Sequence, residues 1–166
     1  MAEYTTVFGS LDNYRKGGVD IIDDDPRNYV FSNVFEVAAK SKPYERVAVA
    51  KNFQYVIEAL RAEGTSPWFS CGHDEFALCM DGRIEVHLVK LTRPAAELKP
   101  GMDGAVRLVD NPDGRKMGRV ILGRGHMALL PTGAAYRFLA DKPSVAMIQT
   151  IEGTVTAQKW AEICLS

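Results

Sequence analysis

From Pro67 onward, turn-forming residues interrupt the chain roughly every ten positions, and the segments between them are short and apolar or alternating. Residues 76–80 form a short apolar run that ends at Asp81 and Gly82, a hairpin signal. Residues 83–88 alternate apolar and polar with the two-residue period of a half-buried strand. Residues 94–118 hold Pro94, Pro100, Gly101, Gly104, Pro112 and Gly114, which predicts one or two long loops around a strand at 105–109. Further strands are predicted over 120–122, 126–130, 135–138 and 145–150. Many short strands at this spacing predict a mainly β fold, a sandwich or barrel.

Before Gly64 the pattern differs. Residues 1–30 are polar and include the acidic run Asp23, Asp24 and Asp25 before Pro26. They read as a surface segment or a docking arm, with one short strand at Val19, Ile21 and Ile22. Ser32 and Asn33 followed by Phe35 and Glu36 predict a helix that stops before Pro43. Phe53, Val56, Ile57 and Leu60 recur at helical spacing and predict a second helix over 52–62, ended by Gly64. The tail, residues 155–165, is expected to close with a short helix. The organisation expected is an arm with two short helices over 1–64, packing on the barrel or a partner, and a barrel over 65–166, in one structural domain.

The chain is 166 residues long, the length of a single domain. Its 20 Lys and Arg against 21 Asp and Glu leave no basic excess to neutralise phosphates, which argues against nucleic acid as a partner. Residues 1–18 contain no continuous apolar region of the signal-peptide kind, and no apolar run approaches bilayer length. Cys71, Cys79 and Cys164 have neither an even count nor CxxC spacing, so reduced thiols in a cytoplasmic protein are expected.

Two spaced motifs carry the chemistry. Residues 69–82 read F-x-C-x3-E-x6-G, and residues 125–136 read G-x5-P-x-G-x2-Y. Both resemble the paired motifs of the cupin superfamily, a jelly-roll β-barrel, in which they read H-x-H-x3-4-E-x6-G and G-x5-P-x-G-x2-H. The glycine and proline frame is present, since Gly82 and Gly133 permit positive φ at the turns. The full motif offers three imidazoles and a carboxylate to a divalent ion. Here Phe69 and Cys71 stand at the first two histidine positions, Glu75 is retained, and Tyr136 stands at the last histidine position. The resemblance therefore implies a cupin barrel without its metal.

Other residues offer alternatives. His73, Glu75 and His126 could rebuild a metal site, although scattered histidines are more often surface or core residues. Glu75 beside Tyr136 could act as a general base, or the pair could hydrogen-bond as internal support in place of the metal. Cys71 near His73 could be a nucleophile only with a lowered pKa, and buried inert cysteines are commoner. Trp68 follows Pro67 at the expected barrel mouth, where an aromatic walls a pocket, anchors an interface or simply packs.

Longer strings resemble a narrower family. IDDDPRNYVFSNVFEVAAK at 22–40, KPYERV at 42–47, RAEGTSPW at 61–68, HDEFA at 73–77, QTIEG at 149–153 and WAEIC at 160–164 are similar to the small subunit of two-component hydroquinone 1,2-dioxygenases. The resemblance spans essentially the whole chain. It implies a heterotetramer of two small and two large subunits, with Fe(II) held only by the large one. It implies cleavage of hydroquinone by O2 to 4-hydroxymuconic semialdehyde, with no catalytic or metal-binding residue on this chain; the position of Trp68 beside the barrel mouth makes it the residue expected at the substrate pocket or interface. A self-contained cupin enzyme and a small-molecule-binding barrel are the alternatives.

Overall fold

The computed structural model describes residues 9–15, 22–23, 33–94, 103–159 and 162. Asn33 starts the first helix: its side-chain oxygen accepts hydrogen bonds from the N–H groups of Phe35 (3.0 Å) and Glu36 (3.3 Å). Helix α1 (Val34–Lys40) follows and ends at Ser41, before Pro43 as expected. It lays Val37 on one face of two strands, against Val47, Val49 and Ala59.

Those strands are β1 (Arg46–Asn52) and β2 (Tyr55–Thr65), joined through Phe53 and Gln54 and paired antiparallel. The second helix expected over 52–62 is therefore not formed. The cause is Glu58. Val56, Leu60 and Ala62 point inward with strand period, but Glu58 shares that face and is fully buried. A carboxylate in the apolar row breaks the visible alternation. The outer face of β2 is also covered, by α1 at Ala59, so a second set of apolar positions imitates helical spacing.

The remaining strands are β3 (Phe69–Ser70), β4 (Glu75–Asp81), β5 (Arg83–Leu91), β6 (Val106–Arg107), β7 (Gly114–Gly123), β8 (Met127–Leu130), β9 (Ala134–Ile151) and β10 (Thr156–Ala157). They form one curled sheet, and the fold is the expected cupin-type jelly roll. Residues 19–21 of the strand predicted at 19–22 lie outside the described residues, as do residues 160, 161 and 163–165 of the expected closing helix, Cys164 among them. Val155 packs on the core, and β10 pairs in parallel with β1 where that helix was expected to begin. No helix among the described residues is long and apolar enough to cross a membrane.

Strand β9 organises the sheet. It was expected as two strands but runs unbroken for 18 residues and pairs with β2, β3, β4 and β5. Its ladder with β2 lapses between Ala140 and Ser144, and Pro143, which has no N–H to donate, falls in that interval. The Asp81–Gly82 turn also differs from expectation. β4 and β5 do not pair with each other: β4 pairs with the C-terminal half of β9 and β5 with the N-terminal half. The turn passes the chain from one layer to the other. Likewise the loop expected up to residue 118 ends earlier, because β7 begins at Gly114 against Leu91. The interior is filled by Leu60, Ile84, Val86, Leu130, Phe138 and Ile148, each at most 1% exposed.

Gly82 is confined by geometry on two counts. Its φ is +78°, and a Cβ there would lie 2.2 Å from Ser144 Oγ and 3.1 Å from Ser144 Cα. Gly82→Ala is expected to destabilise the fold by roughly 1–3 kcal/mol. The check is a lower urea midpoint with an unchanged slope.

Candidate functional site

The two motifs meet inside the barrel, as their spacing requires. Glu75 begins β4, and Tyr136 lies on β9 opposite Phe69 of β3. Glu75 and Tyr136 are buried, and the Tyr136 hydroxyl donates to Glu75 Oε2. The Phe69 and Tyr136 rings lie 5.9 Å apart.

A residue that sequence reasoning missed stands among them. Arg46, on β1, is 2% exposed and reaches into the same space. Its Nη2 donates to Glu75 Oε1 at 2.7 Å, its Nη1 to the Tyr136 hydroxyl at 2.8 Å and its Nε to Glu58 Oε2 at 2.5 Å. The guanidinium carbon lies 5.6 Å from the Phe69 ring centroid. Thr156 on β10 donates to the second Glu58 oxygen at 2.7 Å. Arg46 thus contacts three of the four positions where the cupin motif would place metal ligands, and a fixed organic cation occupies their midst.

The donor chemistry around it does not fit an iron ion. Both Glu75 oxygens are engaged by Arg46 and Tyr136. Burial holds the Tyr136 phenol well above its ordinary range. Phe69 has no ligand atom. The Cys71 thiol is pushed up to about 11, first by burial and then by the Glu75 carboxylate. Burial opposes the Arg46 charge, but Glu58, Tyr136 and Glu75 outweigh it and keep the guanidinium protonated.

Ligand atoms of Cys71, His73 and Glu75 do lie within 4.8 Å of one another. Each is already committed. His73 Nδ1 sits 2.8 Å from the Asp103 carbonyl and 3.1 Å from Cys71 Sγ, and its Nε2 accepts from the Ile151 N–H at 3.2 Å. That pattern fits a neutral imidazole that ties loop to strand. His126, the third member of the alternative site, is not brought to this group. It stands at the other end of the β4–β8 ladder, where its carbonyl accepts from the Cys79 N–H and its Nδ1 accepts from Gly123.

Trp68 lies on the face of β9 opposite Tyr136. It packs against Leu91, Val106, Leu108 and Ala135. The Arg137 guanidinium stacks over its ring, 4.6 Å from the centroid. Trp68 Nε1 and Arg137 Nε are both buried, and neither has a hydrogen-bond acceptor among the described residues.

Arg46→Met leaves two buried carboxylates without their cation and is expected to cost about 3–5 kcal/mol. Tyr136→Phe removes two charge-assisted hydrogen bonds, one donated to Glu75 and one accepted from Arg46, and is expected to cost about 1–3 kcal/mol. Urea titrations followed by circular dichroism rank the two. With its thiol raised to about 11 and buried, Cys71 is expected to resist iodoacetamide at pH 8 in the folded protein and to react once unfolded, read by peptide mass spectrometry.

No protein-family model matches the chain, and no curated protein sequence does. Solved structures match. A chain of hydroquinone 1,2-dioxygenase from Sphingomonas sp. TTNP3, with 4-hydroxybenzoate bound, is 67% identical, with a TM-score of 0.90 and 98% of each chain covered. A chain of the hydroquinone 1,2-dioxygenase PnpCD, in complex with Cd2+ and 4-hydroxybenzonitrile, is 53% identical, with a TM-score of 0.87, covering 100% of this chain and 99% of that one. A longer chain of PnpCD, in complex with Fe3+, shares the fold alone: 13% identity, a TM-score of 0.57, and coverage of 84% of this chain but 37% of the other. PnpCD therefore holds two chains of related fold, and this molecule matches the shorter over its whole length. The chain belongs to the hydroquinone 1,2-dioxygenase family, as a counterpart of that shorter chain.

Proposed function

We propose that this chain is the small, non-catalytic subunit of an Fe(II)-dependent hydroquinone 1,2-dioxygenase, assembled in the cytoplasm as two small and two large subunits. The complex cleaves hydroquinone with O2 to 4-hydroxymuconic semialdehyde. Iron held by the large subunit supplies open positions for one substrate hydroxyl and for O2. The observation that carries this reading is the Arg46 guanidinium bound to Glu75 and Tyr136, in the space where a cupin metal would be held. A barrel closed around a fixed cation has no room or free donors for catalytic iron. Its remaining work is to stabilise the large subunit and complete its pocket.

Trp68 is the residue of this chain assigned to that pocket. Its indole N–H has no acceptor among the described residues, and its ring is fixed between Arg137 and an apolar cluster. A rigid aromatic with a spare donor suits the wall of a phenol-binding site.

The first test is metal content. The chain purified alone and anaerobically after growth with iron is expected to hold almost none and to leave hydroquinone intact. Co-expression with the large subunit is expected to give an iron-bearing, active complex. One iron per isolated chain would overturn the reading and return attention to His73 and Glu75. In the complex, Trp68→Ala is expected to lower kcat/KM by about tenfold or more, equal to about 1.4 kcal/mol. Unchanged turnover and assembly would remove Trp68 from the pocket.

A further inference from the structure

The outer face of the β5–β7–β9 layer carries an unbalanced set of charges. Register places Arg119, His87 and Arg137 side by side across β7, β5 and β9. Arg83 and Glu85 share the β5 face with His87. Glu85 serves Arg119 at 3.1 Å, His87 at 3.3 Å and Arg83 at 3.5 Å. Its own pKa is lowered, with the His87 hydrogen bond as the first cause and the arginines adding to it. Arg137 forms no ion pair with it.

Arg137 is half-buried and has no hydrogen bond or ion pair with any described residue; its one close partner is the Trp68 ring. Stacking uses the flat face of a guanidinium and leaves its in-plane N–H groups for an acceptor, best of all a carboxylate met by a fork of two bonds. A half-buried guanidinium lacking such an acceptor is incomplete. Around it the face is otherwise suited to burial. Ile121 on β7 is 45% exposed and lies opposite Glu85, and Arg119 offers a side chain 60% exposed.

We propose that this face, centred on Arg137, is where the chain docks its large subunit, and that a carboxylate of that subunit pairs with the Arg137 guanidinium. The proposal rests on the two-subunit reading above and adds the surface and its chemistry. Charge complementarity names the occupant: Arg83, Arg119 and His87 share one carboxylate and Arg137 pairs with none among the described residues, so a neutral or basic surface would leave Arg137 opposed. Docking here also sets Trp68, against which Arg137 lies, at the edge of the subunit contact.

The test uses the full-length chain and the large subunit, with association measured by analytical ultracentrifugation at 50 and 300 mM NaCl. Wild-type association is expected to weaken with salt. Arg137→Met and Arg119→Glu are each expected to weaken it at least tenfold at low salt and to flatten the salt dependence. Arg137→Lys keeps the charge without the fork and is expected to recover part of the loss. Circular dichroism confirms folding, and Arg119, exposed on an edge strand, keeps the test alive if Arg137→Met does not fold. Variants that bind as tightly as wild type overturn this face as the interface while leaving the two-subunit reading intact. Variants that alter only self-association of the isolated chain assign the face to a second copy and overturn the proposal. Failure of the wild-type chain to bind the large subunit at all overturns the underlying reading itself.

Discussion

The Arg46 guanidinium is the point on which the barrel closes. Through it, β1 meets Glu58 of β2, Glu75 of β4 and Tyr136 of β9, and Glu58 in turn receives Thr156 of β10. Such a buried cluster adds little net stability over apolar packing of the same volume, because desolvation offsets much of the attraction. What it imposes is a condition. Each member would be a costly orphan alone, so the strands that carry them must all arrive together. The long strand β9 makes this possible by pairing with both layers of the sheet.

The same cluster leaves the positions of the two motifs without free ligand atoms. A metal site needs ligand atoms left free and a cavity between them. Here the carboxylate has both oxygens taken, the phenol is held protonated by burial, and a guanidinium fills the gap. The interior is therefore saturated, while the outer face is not. On the other side of β9, Trp68 Nε1 and Arg137 Nε are buried without an acceptor among the described residues. Inside, polarity serves closure. On the opposite face it is left incomplete.

Much of this was legible in the sequence. The Asn33 cap, the alternation of β5 and the positive φ of Gly82 and Gly133 all follow from local chemistry. The Glu75–Tyr136 contact followed from motif spacing. The misreadings have one physical origin. β2 looked helical because Glu58 interrupts its inward row, and Glu58 is inside only because Arg46 is there. Arg46 itself sits at the head of a continuous apolar run, with partners 12, 29 and 90 positions away. No window of sequence contains that information. The hairpin expected at Asp81 and Gly82 is a passage between layers, and a turn signal carries no record of which strands its flanks will join.

Period, turn residues and motif spacing act over a few neighbours, so the sequence by itself determined the β class, the barrel frame and the loss of imidazole ligands at Phe69, Cys71 and Tyr136. Only the tertiary structure decided that Arg46 fills the space between those positions and which buried donors lack an acceptor among the described residues. A buried charge takes its partners from the strands that closure sets beside it, and closure here joins residues from opposite ends of the chain.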